Sequence, residues 1–148
     1  MIENWIDALA KVWEISDGKG GLVKSYRLFE LAELPESLSV YPCAITYPIQ
    51  VDTHIGSASY DIWTGITEFH INPTVAKTGI ADVLRYFSRI KTAAAANVTL
   101  GGLVSYFTLQ ETESIQGPLA MDYGEQAPGM GLIVRWIIKE NEPVTVGG

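Results

Sequence analysis

Apolar residues along this chain change their spacing in a fixed order, and that order predicts the elements. Ile2, Ile6, Leu9 and Trp13 recur at four, three and four residues, with Trp5 and Val12 beside them. That is one apolar face of a helix about four turns long. Ser16-Asp17-Gly18-Lys19-Gly20-Gly21 ends it, because three glycines in four residues favour loop conformations. Val23–Leu34 reads equally as extended or helical, and Leu34–Pro42, with prolines at 35 and 42, reads as an extended connector. A period of two then takes over. Cys43, Ile45, Tyr47, Ile49 and Val51 alternate with Ala44, Thr46, Pro48 and Gln50, which predicts a half-buried strand. Pro48 cannot donate to a ladder and marks an edge or a bulge. Asp52–Ser59 reads as a flexible hairpin tip, and Asp61–Ile71 returns as a second strand rich in β-branched and aromatic residues.

The helical period comes back after Asn72-Pro73-Thr74. Gly79–Asn97 reads as a single long amphipathic helix, with Thr78 as N-cap and Asp82 near the positive end of its dipole. Its expected buried stripe is Ile80, Val83, Leu84, Phe87, Ile90 and Ala94, with Arg85, Ser88 and Arg89 facing outward. Leu103–Glu111 reads as a strand, and Leu119–Tyr123 has the pattern of a short one inside the Gly- and Pro-containing stretch Ile115–Gly131. Leu132–Glu140 is apolar on both faces, as an interior strand would be. The fold expected is a single α+β domain over residues 1–140 with a flexible tail at 141–148. It has a mostly antiparallel sheet of four to five strands, one long amphipathic helix packed on it and an N-terminal helix.

Composition narrows the function. The chain is 47% hydrophobic and only 18% charged, which suits either a well-packed monomer or a subunit that hides surface in an assembly. No apolar run reaches the roughly 18 residues of a membrane helix. The start Met1-Ile2-Glu3-Asn4-Trp5 carries no basic segment, so no signal peptide is expected. The lone Cys43 fits a buried thiol in a cytoplasmic protein. A net charge of −7 argues against duplex nucleic acid as partner. The charge is uneven: residues 61–110 hold 3 acids and 4 bases, and all four bases (Lys77, Arg85, Arg89, Lys91) lie on or beside the long helix. A basic helix on an acidic body is either a solvated face or a contact for an acidic neighbour.

The chemistry is sparse. His54 and His70 share no metal-ligand spacing with each other or with Cys43, so zinc is not expected. Ser57 and Ser59 lie near His54 without a nucleophile elbow around them. The glycine-rich run at 16–21 lacks the Gly-Lys-Ser/Thr that cradles phosphate. Glu111 and Glu113 read as a solvated strand end, the Asn97-Val98-Thr99 acceptor pattern lacks a secretory context, and the four tryptophans read as core. No catalytic residue, cofactor or metal is expected. Were the chain a small cytoplasmic enzyme or ligand-binding domain instead, its best groups would be His54, His70 and Glu68.

The segment order carries a resemblance. A leading helix is followed by Leu34-Pro35-Glu36-Ser37-Leu38 and Pro42-Cys43-Ala44-Ile45-Thr46-Tyr47-Pro48, then a hairpin. A long helix ends at Asn97-Val98-Thr99-Leu100-Gly101-Gly102, and two strands surround Gln116-Gly117-Pro118-Leu119 and Tyr123-Gly124. This resembles the tail completion proteins of long-tailed bacteriophages, in particular the lambda-like tail terminator group. The resemblance implies a non-enzymatic virion protein: a six-fold ring that caps the tail tube and docks to the head connector. A head-completion (connector) or tube-related protein is the neighbouring alternative. Implied partners are further copies of the chain, the tail tube protein and the connector protein, with no membrane and no specific nucleic-acid sequence. The residues expected at such contacts are Tyr47, Pro48, Arg85, Arg89, Met121 and Tyr123.

Overall fold

The computed structural model describes residues 2–27, 37–75, 77–124 and 126–141. Much of the ambiguous stretch 28–34, the start of the connector at 34–36 and the tail at 142–148 lie outside the described residues. A 3-10 turn (Ile2–Asn4) leads into α1 (Ile6–Val12), then β1 (Lys24–Arg27), β2 (Cys43–His54) and β3 (Tyr60–Asn72). Next come α2 (Lys77–Leu84), α3 (Tyr86–Ala95), β4 (Tyr106–Leu109), β5 (Ile115–Met121) and β6 (Gly129–Asn141). The strands form one sheet of six in the order β1-β2-β3-β6-β4, with β5 also paired to β6. Among the described strands only the β1–β2 pair is parallel.

The α+β class and the antiparallel character stand, while the sheet exceeds the four to five strands expected by gaining β1 from the ambiguous segment. The hairpin is also longer than expected. β2 runs on to His54 and β3 begins at Tyr60, so residues expected in a loose tip are paired strand. The β4 strand, in contrast, covers only Tyr106–Leu109, and Leu103 is exposed in the turn before it. β6 is interior as expected, with β3 on one side and β4 and β5 end to end on the other.

The single long helix is corrected to two. Arg85 separates α2 from α3, although its backbone stays right-handed helical (φ −64°, ψ −24°) and its N–H reaches Ala81 O at 3.3 Å. The buried line is Val83, Tyr86, Ile90 and Ala94, at spacings of three, four and four. Ile80 and Leu84, expected inside, are exposed, and Phe87 is only partly buried. Tyr86 takes the inward position between Val83 and Ile90, in place of the expected Phe87, so the buried line lies to one side of the expected stripe. α2 already includes Lys77, which places Thr78 within the helix rather than at its cap. Asp82 lies beyond the first turn and accepts a hydrogen bond from Asn72 Nδ2 at 3.2 Å.

The described helices α1, α2 and α3 cover one face of the sheet. Trp5, Leu9 and Trp13 of the N-terminal segment and Val83, Tyr86 and Ile90 of α2–α3 close over Ala44, Phe69, Leu132, Val134 and Trp136. Trp5, Trp13 and Trp136 are wholly buried and meet their aromatic neighbours edge to face, so the tryptophans expected in the core are there, with Trp63 at its rim. Among the described residues, the opposite sheet face carries at one end a smaller cluster of Leu38, Cys43 and Ile45 with four tyrosines. Gln126 clamps that cluster: its side-chain amide accepts from Leu38 N–H at 2.5 Å and donates to Leu38 C=O at 3.2 Å.

Candidate interaction surface

The sheet exposes different edges at the same level. β1 covers β2 only along Cys43–Thr46, and no described strand pairs with the outer side of Tyr47–His54. Across the sheet, Asp52 is in register with Ile62, Lys139 and Tyr106, and Pro48 with Gly65, Trp136 and Leu109. The open part of β2 is therefore level with β4, the opposite edge strand. Successive antiparallel pairings from β2 through β3 and β6 make β4 run opposite to β2.

Pro48 sits at the bulge its sequence marks. The pairing skips from Pro48–Gly65 to Gln50–Thr64 and leaves Ile49 unpaired. Because side chains alternate between faces, one inserted residue exchanges the faces of everything beyond it. Val51 therefore lies opposite Trp63, on the helix-covered side, instead of continuing the Cys43–Ile45–Tyr47 face. The expected single apolar face is thus interrupted: Cys43 and Ile45 are buried, whereas Ile49 is 59% and Val51 42% exposed. Ile55 at the turn is 87% exposed, so the arm ends in unburied apolar groups. Sequence reasoning missed these residues because period-two alternation looks the same whether or not a partner covers it. The proline was the one available signal.

Tyr47 lies at the base of the arm, and the structure joins it to two residues of the alternative, enzymatic reading. Tyr47 Oη donates to Glu68 Oε2 at 2.5 Å, and His70 Nε2 lies 3.1 Å from Glu68 Oε1. Tyr123 packs edge to face on His70 at 6.1 Å, and Cys43 is the cross-strand neighbour of His70. Burial works against the charge on Glu68, but the hydrogen bonds from His70 and Tyr47 outweigh it and hold the carboxyl below its ordinary value. Burial, then the bond to Glu68, pushes the Tyr47 phenol up. Burial, then the negative charge of Glu68, pushes the Cys43 thiol to about 12, far from thiolate character at neutral pH. His70 is 2% exposed, so the cluster offers no open approach to its imidazole. His54 is elsewhere, exposed at the end of β2 and stacked on Tyr60 at 4.5 Å. Among the described residues no three His, Cys, Asp or Glu side chains are placed to hold a metal ion.

This network has a pH signature. A carboxyl whose folded pKa is depressed stabilises the fold above its ordinary value and loses that contribution as pH falls through the folded one. Stability should therefore fall on acidification below about pH 4.5, the ordinary glutamate value. Glu68→Gln should flatten that acid limb and cost about 1–3 kcal/mol at neutral pH, since Tyr47 and His70 lose a charged acceptor. Urea melts at pH 7 and pH 3.5 measure both; an unchanged acid limb in the variant would show that Glu68 does not govern it.

The two expected arginines have unequal roles. Arg89 Nη1 donates to Ser16 O at 3.1 Å, and its guanidinium lies over the Tyr86 ring at 5.3 Å. It also rests on Gly18, whose φ of +79° and lack of a side chain both suit that contact. Arg89 thus ties α3 to the loop after α1. The side chain of Arg85 is 67% exposed and, among the described residues, pairs with Asp82 at 3.6 Å. Both arginines border a cleft of about 320 Å³ with Asp17, Lys19 and Asp82. Asp17 is held below its ordinary value, mainly by hydrogen bonds from the backbone of Lys19 and then Gly21. Met121, 7% exposed, lies against Gly131 and packs within the subunit.

No helix among the described residues is long and apolar enough to cross a membrane. No protein-family model and no curated protein sequence matches this chain.

Proposed function

We propose that this chain is a structural virion protein of the phage neck, forming a ring that caps the tail tube and joins it to the head connector. The observation that supports a ring best is the pair of level edges. Cyclic rotation about an axis along the strands brings the open part of β2 to face the β4 side of the next copy with antiparallel sense and without inversion. Two different surfaces meeting head to tail close into a ring when the rotation allows it. Tyr47 and Pro48 stand at the base of this contact, and Arg85 and Tyr123 are proposed for the faces toward the tube and connector. Arg89 and Met121 would support those faces from within the subunit.

Light scattering across a concentration series tests the reading, alone and with assembled tail tubes. The expected species has about six times the 16.2 kDa subunit mass and sits at tube ends by electron microscopy. A chain that stays monomeric and also fails to associate with tubes would overturn it.

A further inference from the structure

We propose that the β2–β3 arm of one copy seats Ile49 and Val51 in the groove between α3 and β4 of the next copy. This rests on the ring reading and names its contact. The arm supplies apolar side chains that its own subunit leaves unburied, and Val51 points to the sheet face on which α3 also lies. The receiving groove is about 320 Å³, lined by Ala94, Ala95, Val98, Phe107 and Leu109, with Lys91 also on its wall.

Charge favours this pairing over two arms meeting each other. Residues 47–63 contain Asp52 and Asp61 and no Lys or Arg, while the groove lining contains Lys91 and no acid. Arm against arm would gather like charges, whereas arm against groove brings acids toward a base. The backbone argues the same way. Phe107 N–H is already held by Val98 O at 2.5 Å, so β4 offers its neighbour an apolar groove more than a bare ladder. The arm fills grooves with side chains while its outer ladder stays level with β4.

The test uses the full chain carrying Gln50→Cys and Thr108→Cys, two exposed positions at the same level on opposite edges. Native Cys43 is wholly buried and stays out of the reaction. Treatment with a short bis-maleimide should give a ladder extending beyond the dimer, because each copy uses both edges. Each single-cysteine variant should give no ladder. Adding Val51→Asp should cut the cross-linked fraction at least about tenfold, the effect of losing one buried aliphatic side chain, with circular dichroism unchanged. Dimers from Gln50→Cys alone would mean arm-to-arm pairing and overturn the proposal. A ring by light scattering without a ladder would overturn this contact and leave the ring reading standing. Cross-links only to tail tube protein would make the tube the arm's partner and overturn it too. A monomer that also ignores tail tubes would remove both.

Discussion

Gly131→Ala is expected to cost about 3 kcal/mol or more, which for a chain of this size is a drop in Tm of roughly 10 °C. Gly131 lies in β6 opposite His70 of β3 and Leu119 of β5, where three strands meet. A Cβ there would overlap the Phe69 carbonyl oxygen and crowd Met121 Sδ. Met121 can rotate away, but the carbonyl belongs to the adjoining strand and moves only if the β3–β6 pairing moves. That rigidity separates this site from an ordinary overpacked position, where side chains absorb the added methyl. The cost is large against the roughly 5–15 kcal/mol that stabilises a typical domain. Gly56→Ala is the matched control. Gly56 sits in the hairpin turn with nothing within 4 Å of a Cβ and without a positive φ, so its change should stay within about 0.5 kcal/mol. Guanidinium melts of the two variants check the contrast. Equal stabilities would show that β3 and β6 do not approach this closely.

Residues that announce themselves by periodicity were legible, and those that depend on what lies opposite were not. The interior position of β6 was signalled by Leu132–Ile138, where Ile133 and Ile137 add apolar residues on the second face. That face is only half-buried, and it is the pairing with β3, β4 and β5 that makes the strand interior. The helix break at Arg85 could not, since Ile80, Val83, Leu84, Phe87 and Ile90 form an equally good stripe on an unbroken helix. Only packing on the sheet, which takes in Tyr86 and leaves Ile80 and Leu84 exposed, decides which flank of that stripe is buried. β1 was hidden for a similar reason. A four-residue strand, Lys24–Arg27, is too short to show a period and is defined by its parallel partner at Cys43–Thr46. The interaction surface was half visible. Pro48 signalled the bulge, but the consequence, that Val51 changes face and emerges beside Trp63, follows from pairing and not from composition. The Tyr47–Glu68–His70 network was equally out of reach as a unit. Glu68 and His70 alternate along one strand, but Tyr47 joins them only because the β2–β3 register places Thr46 opposite Thr67 and Tyr47 opposite Ile66.

Trp136→Ala should be among the most damaging single changes, at about 3–5 kcal/mol, while Trp136→Phe should keep most of the stability. Trp136 is wholly buried at the centre of β6, edge to face with Trp5 at 5.9 Å, and Trp5 meets Trp63 in turn at 5.6 Å. The ring lies over Gly65 of β3, where any Cβ would overlap it, so strand and indole fit only as this pair. Alanine would empty a space bounded by two backbone strands and α1, none of which collapses easily, so the cavity term adds to the lost burial. Phenylalanine behaves differently. The indole Nε1 of Trp136 is buried without a hydrogen-bond partner among the described residues, and an unpaired buried N–H carries its own cost of about 1–3 kcal/mol. Removing that group with the second ring offsets part of the volume lost, so the Phe variant should fall well short of the Ala variant's penalty. The same change breaks the stack that anchors the N-terminal helix. Near-ultraviolet circular dichroism of the Ala variant should therefore lose the part of its tryptophan signal that comes from Trp136, Trp5 and Trp63 before the far-ultraviolet spectrum changes. If Trp136→Ala melts within about 1 kcal/mol of the parent, α1 is not packed on β6 as described, and the helix-covered face would have to be reassigned.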